Sequence, residues 1–293
     1  MNSKLWVLVV VGLLILPSSS AFAQIRHYRA TVETSHWQLD PASNPLSCRL
    51  VHQIDRYGSA EFTSQAAKQL TLQFSLQMRL LPDTYAQAGV YTMAPQWMPG
   101  QPSRLLTQLD LKQQFQPELP KKMAWTLLSE LEKGFWPTFA YQDWYNQHDA
   151  IMVSLHATNF MPAYQDFVEC HAKLLPFNLT DIAFTILTFK PNSQVLTRYA
   201  QKRLDMIAQY LEHDNALSLV LIDSHTDAIM PSTSQKDIAQ LRAQTIQLFF
   251  ADKGIDPTRI EVQSHADKRT IAPEQVLLKG YNRRVVVQLS KAP

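Results

Sequence analysis

The chain has 293 residues, 46% of them hydrophobic, and sets 27 Lys and Arg against 25 Asp and Glu for a formal net charge of +2. So even a balance excludes the electrostatic footprint of a nucleic-acid binder or of a protein drawn to anionic membranes. Its two Cys, 48 and 170, lie 122 positions apart and have no metal-motif spacing.

The first residues read as an export signal. Lys4 gives a positive start, Leu5 to Leu16 an apolar stretch, Pro17 with Ser18 to Ser20 a break, and Ala21-Phe22-Ala23 a small-x-small cleavage site. The apolar stretch is too short for a bilayer span, and no other segment is apolar enough to cross one. The mature chain is expected to begin near Gln24 in the periplasm, without a Cys there to carry a lipid anchor. Roughly 270 residues then remain, more than one domain usually holds. In an oxidising compartment Cys48 and Cys170 invite a disulfide, with two buried thiols as the other reading. A bridge would tie the ends of the first domain together and leave the second topologically free.

The first half is β-rich. From Leu70 to Leu80 every even position is apolar and every odd one polar, the period of a strand with one wet face. Leu109 and Leu111, then Ile151, Val153 and Leu155, repeat that period. Pro95, Pro99, Gly100 and Pro102 mark one loop, and Pro117 with Pro120 another. A helix is predicted over Met123 to Lys133, closed by Gly134. These signals predict an antiparallel barrel or sandwich with a minor helix.

The pattern changes after Pro176. A strand is predicted over Ile182 to Phe189. Next comes a helix from about Ser193 to Glu212, with Leu196, Tyr199, Ala200, Leu204, Ile207, Ala208 and Leu211 as its apolar stripe. Leu217 to Ile222 suits a strand buried on both faces. Ser234 with Asp237 resembles a capping box that opens a helix with Ile238, Leu241, Leu248 and Phe249 as apolar positions, ended by Lys253-Gly254. A strand over Ile260 to Ser264, a short helix over Pro273 to Lys279 and a strand with Val285, Val287 and Leu289 follow. The expected class is α+β: a β-rich domain over 24–178, after a signal segment 1–23, then an α/β sandwich over 179–293 with helices packed on one sheet.

Asp227, which follows the strand run through Thr226, and Arg242, on the next helix, are chemically prominent. They stand fifteen positions apart. His225 with Asp227, and His265 with Asp267, could suit an acid–base or metal site, but no third ligand stands at helical spacing. No Gly-x-Ser-x-Gly, His-Glu-x-x-His or phosphate-cradling Gly loop occurs, so no metal or other cofactor is implied. Asn178-Leu179-Thr180 matches a glycosylation acceptor in form only. Trp97, Trp136 and Trp144 read as core or half-buried residues, one of which could anchor a partner.

Five landmarks stand in order: Leu187-Thr188-Phe189, Thr226-Asp227, Arg242-Ala243, Gly254-Ile255 and Asn282-Arg283-Arg284-Val285. Together they resemble the peptidoglycan-binding signature of OmpA-like domains. That resemblance implies a site for the diaminopimelate of wall peptides, formed by Asp227, Arg242 and Thr226. The carboxylate would accept from the ligand ammonium, and the planar guanidinium fork would take its carboxylate. The chain departs from the family's helix pattern at Gln235, Ile238 and Ala239, where Asn, Leu and Ser are usual, and Pro231 stands in a loop lacking the usual Gly.

A soluble β-rich domain ahead of such a wall-binding domain, together with Gln53-Ile54-Asp55-Arg56-Tyr57-Gly58-Ser59-Ala60-Glu61-Phe62, resembles the MotY family. Its members are periplasmic parts of the T ring in sodium-driven polar flagellar motors. The resemblance implies a non-enzymatic scaffold. Its first domain would dock on the flagellar basal body and on MotX, its second would hold peptidoglycan, and the stator proteins PomA and PomB would be recruited indirectly. Two other readings stand beside it: a general envelope tether unrelated to flagella, and a wall hydrolase using His225 or Asp227.

Overall fold

The computed structural model describes residues 24–190, 193–222, 232–263 and 284–291. In chain order, the first part contains β1 (Ile25–Arg29), β2 (Trp37–Leu39), β3 (Ser47–Ile54), β4 (Gly58–Gln65), β5 (Gln73–Met78) and β6 (Ala86–Met93). It continues with β7 (Arg104–Leu111), β8 (Glu118–Leu119), α1 (Lys121–Glu132), β9 (Trp136–Gln142), β10 (Ala150–Ser154) and α2 (Phe160–Ala172). These strands form two five-stranded sheets, ordered β1-β10-β9-β6-β7 and β2-β3-β4-β5-β8. All pairings are antiparallel except β1 with β10, which is parallel.

The two sheets share one core. Leu50, Phe62, Phe74 and Leu76 of one sheet join Val90, Leu109, Phe139 and Val153 of the other, with Leu127 and Leu128 of α1 and Phe160 and Phe167 of α2. Alternate strand residues point inward because the pleat has a period of two. The sheets end at β7 and β8 without joining, so the unit is a sandwich and not a closed barrel.

The alternation over Leu70 to Leu80 outruns its strand. Only Gln73–Met78 is extended, and Leu70 and Leu80 lie exposed beyond its ends. The predicted α1 is present, and Gly134 closes it at φ 84°. There the Phe135 N–H reaches the Glu130 carbonyl at 2.9 Å and the Gly134 N–H the Leu131 carbonyl at 3.0 Å. This paired cap needs a left-handed residue, which glycine supplies without steric cost. Helix α2 was not predicted. Its inner face, Phe160, Ala163, Tyr164 and Phe167, has helical spacing within a stretch otherwise read as β-rich.

Cys170 in α2 is bonded to Cys48 in β3, with the Cα atoms 6.0 Å apart. Nearby, His52 of β3 is fully buried and stacked on Trp37, ring centroids 4.3 Å apart. Its Nδ1 donates to the His36 carbonyl at 3.0 Å, and its Nε2 accepts from the His156 N–H at 3.3 Å. Both nitrogens are thus used by the neutral ring. Burial drives its pKa down to about 4, against the opposing pull of the His36 carbonyl.

The second part contains α3 (Leu179–Ile182), β11 (Phe184–Thr188), α4 (Arg198–His213), β12 (Leu217–Ile222), α5 (Ser232–Asp252), β13 (Ile260–Gln263) and β14 (Arg284–Lys291). One four-stranded sheet runs β11-β14-β12-β13, with β12 and β13 parallel and the other pairs antiparallel. Its core joins Leu204, Ile207 and Leu211 of α4 and Ile246 and Phe250 of α5 to Leu187, Leu219, Val285 and Val287 of the sheet. Helices therefore pack on one sheet, the OmpA-like arrangement that the landmarks implied.

Three details differ from the sequence reading. Helix α4 starts at Arg198, capped by Thr197, whose side chain accepts from the Ala200 N–H at 3.2 Å, and Tyr199 faces solvent instead of joining the stripe. Helix α5 starts at Ser232, so Ser234 lies inside its first turn and not at its cap. Asn178 serves as the cap of α3, its side chain accepting from the Asp181 N–H while the Asp181 carboxylate accepts from the Asn178 N–H, each at 3.1 Å. The helix predicted over Pro273 to Lys279 lies outside the described residues. Among the described residues no helix is long and apolar enough to cross a membrane.

Among the described residues, the Asn44 amide donates to the His213 carbonyl at 3.4 Å and Lys68 pairs with Asp181 across the two parts.

Candidate functional site

Helix α5 decides where its arginine points. The buried residues Arg242, Ala243, Ile246 and Phe250 follow one another at helical spacing and define its inner face. Of the apolar positions picked from sequence, Leu248 is 65% exposed and Leu241 is also exposed, whereas Phe249 packs against the core. Arg242 is 2% exposed.

A guanidinium this deep needs partners. Its carbon sits 4.9 Å above the ring centre of Phe189, itself buried. The aromatic face is negative and lends a cation–π attraction in a dry setting. Its Nε and Nη2 reach the Ser193 carbonyl at 3.4 and 3.3 Å. That carbonyl lies in the chain between β11 and α4. Among the described residues there, Phe189 bridges to Leu196, the Lys190 N–H donates to the Val195 carbonyl at 2.9 Å, and the Thr188 and Thr197 hydroxyls meet at 3.0 Å. Thus Phe189 after β11, Ser193 before α4 and the helix α5 jointly orient one guanidinium.

Of the three predicted ligand residues, the structure places Arg242. Asp227, Thr226 and His225, between β12 and α5 in the sequence, lie outside the described residues, as do His265 and Asp267, between β13 and β14. Among the described residues no group of three or more His, Cys, Asp or Glu could hold a metal ion. Phe189 and Ser193 were missed as parts of the site. Phe189 was visible as a landmark of its strand, whereas Ser193 contributes only a carbonyl, which any residue has.

The three tryptophans separate. Trp136 is buried with Arg29 stacked over it at 5.5 Å, and Trp97 is exposed and set edge-on to Trp136 at 5.7 Å. Trp144 is partly buried and lies parallel to Tyr141 at 5.5 Å.

Residues 28–176 match the family described as MotY N-terminal domain, and residues 188–283 match the OmpA family. The sodium-type flagellar protein MotY of Vibrio parahaemolyticus serotype O3:K6 is 35% identical over 288 residues, 98% of each chain. The chain belongs to the MotY family. Arg242 falls in the part of this MotY-family chain that matches OmpA. Two solved structures each align with about a third of the chain. The peptidoglycan-associated lipoprotein from Burkholderia pseudomallei is 20% identical with a TM-score of 0.34, covering 36% of this chain and 89% of that one. The C-terminal domain of Helicobacter pylori MotB is 19% identical with a TM-score of 0.33, covering 37% and 85%.

Proposed function

We propose that the protein is a non-enzymatic periplasmic scaffold of the sodium-driven flagellar motor, exported by a cleaved signal peptide. Residues 179–293 grip peptidoglycan, and residues 24–178 hold the basal body and MotX within the T ring. PomA and PomB would then gather around a ring fixed to the wall. The full-length likeness to a sodium-type flagellar MotY favours the motor over a general tether, because it covers the β-rich part as well as the OmpA-like part.

The observation that carries the wall-binding reading is the posture of Arg242. A guanidinium held between an aromatic face and a backbone carbonyl is pre-oriented, so less freedom is lost when its fork meets a carboxylate. Asp227, with Thr226 beside it, would take the ammonium of the same diaminopimelate. Opposite partners at a fixed separation select this zwitterion over lysine, which lacks the side-chain carboxylate.

Purified full chain should sediment with isolated sacculi and release no muropeptides. Asp227→Ala combined with Arg242→Ala should abolish sedimentation while the N-terminal core stays folded. Unchanged sedimentation would overturn the site, and released fragments would overturn the non-enzymatic reading.

A further inference from the structure

Edge strands expose unpaired N–H and C=O groups, and proteins usually blunt them with Lys, Pro, bulges or covering segments. The sandwich treats the two edges at its β7 and β8 end differently. On the second sheet the outer edge of β5 is covered. Beyond the two-residue β8, the Leu76 N–H donates to the Pro117 carbonyl at 2.9 Å. The Gln116 amide then acts as a substitute strand: its Oε1 accepts from the Met78 N–H at 2.7 Å, and its Nε2 donates to the Met78 carbonyl at 3.1 Å.

Among the described residues, strand β7 has no such cover. It pairs with β6 on one side and ends its sheet on the other. Its register skips at Leu106, but from Thr107 to Leu111 it runs regularly against Val90 to Ala86. Those five residues contain neither Lys nor Pro. In an antiparallel ladder alternate residues of this stretch turn their N–H and C=O away from β6.

A groove of about 1010 Å³ lies between this edge and the 114–120 segment. Leu72, Leu81, Leu109, Phe115, Pro117 and Leu119 give it apolar walls. Leu105, further along β7, is 52% exposed and Phe115 is 65% exposed. Asp110 and Glu118 outnumber Lys112 among the charged lining residues, which favours a weakly basic occupant.

We propose that the Thr107–Leu111 edge is a docking site for an extended segment of a partner polypeptide, added as a sixth strand beside β7. The backbone ladder supplies the affinity of such an addition. Apolar side chains at alternate positions, set into the groove, supply the choice of sequence. The proposal rests on the reading that residues 24–178 hold a protein partner, and it gives that partner's contact a chemistry: five or so extended residues, alternately apolar, carrying at least one Lys.

The test uses full chain and a panel of acetylated, amidated heptapeptides that alternate Val, Leu or Phe with Thr or Lys. At least one should bind and slow hydrogen exchange at alternate amides of Thr107–Leu111. Methylating the peptide's amide nitrogens one at a time should weaken binding tenfold or more at every second position and leave the others unchanged. Phe115→Asp, a change at an exposed residue, should weaken the best peptide about tenfold. No binding by any peptide, protection elsewhere, or a methylation scan without period two overturns the proposal. Sacculus sedimentation does not involve this edge, so its persistence alongside a failed peptide panel would leave the wall-binding reading standing.

Discussion

The two parts of the molecule solve the burial problem in opposite ways. The first closes a core between two sheets, adds a disulfide across 122 positions and keeps His52 neutral inside. The second has one four-stranded sheet covered by helices, and among the described residues the largest of its fully buried side chains is that of Arg242. The charges that the first part buries are carboxylates, Glu130 beside Arg104 and Lys133 and Asp143 beside Arg26, within a disulfide-linked frame. In the second part the buried charge is a cation, and Phe189 and Ser193 support it at Arg242, as the proposed wall-binding role would require.

Breaking the disulfide should separate the two parts most sharply. Replacing both Cys48 and Cys170 by Ser removes a long loop closure worth up to about 4–5 kcal/mol by chain entropy. Urea unfolding followed by Trp fluorescence, which the five Trp after the signal segment all report from positions before residue 145, should show a large loss. Far-ultraviolet signal from α4 and α5 should keep its midpoint. Two transitions that move together would erase the contrast.

Acid should come next. The folded pKa of His52 lies at about 4 and the unfolded value near 6.5, so the unfolded chain binds the extra proton between them. The stability that neutral His52 contributes is complete above pH 6.5 and is lost as pH falls to about 4. The loss is roughly 3 kcal/mol, from about 1.36 kcal/mol per pH unit. Unfolding midpoints of the sandwich at pH 7.5 and 4.5 check this, and His52→Gln should flatten the dependence.

In the second part, Arg242→Lys keeps the charge but loses the fork. Sacculus affinity should drop about tenfold or more, roughly 1.4 kcal/mol, with the sandwich transition unmoved. The smallest effect belongs to Leu248→Ala, expected within about 0.5 kcal/mol because the side chain faces solvent. A larger loss in the C-terminal transition would show that the inner face of α5 is wrongly drawn.

Regular, strongly periodic elements were legible: α1 with its Gly134 cap, the buried stripe of α4, strand β12 and the alternating end of β14. Alternation failed as a guide to length, since Leu70 and Leu80 keep the pattern where the backbone leaves the sheet. Helix α2 was overlooked because its four inward residues sit in a short span among β signals, with Pro162 in the first turn. In α5 hydrophobicity pointed to Leu248, while helical geometry buried Arg242 instead. Arg242 was singled out through the landmark order. The Ser193 carbonyl was not, because a backbone acceptor carries no residue-type signal.

Under the proposed tethering role, the Cys48–Cys170 bond would have a mechanical meaning. Tension arriving from beyond residue 170 passes through sulfur directly into β3, which has a hydrogen-bonded neighbour on each side, β2 and β4. Everything from 49 to 169 is thereby spared from being reeled out as slack. Such a joint holds its length under load until many ladder bonds shear at once.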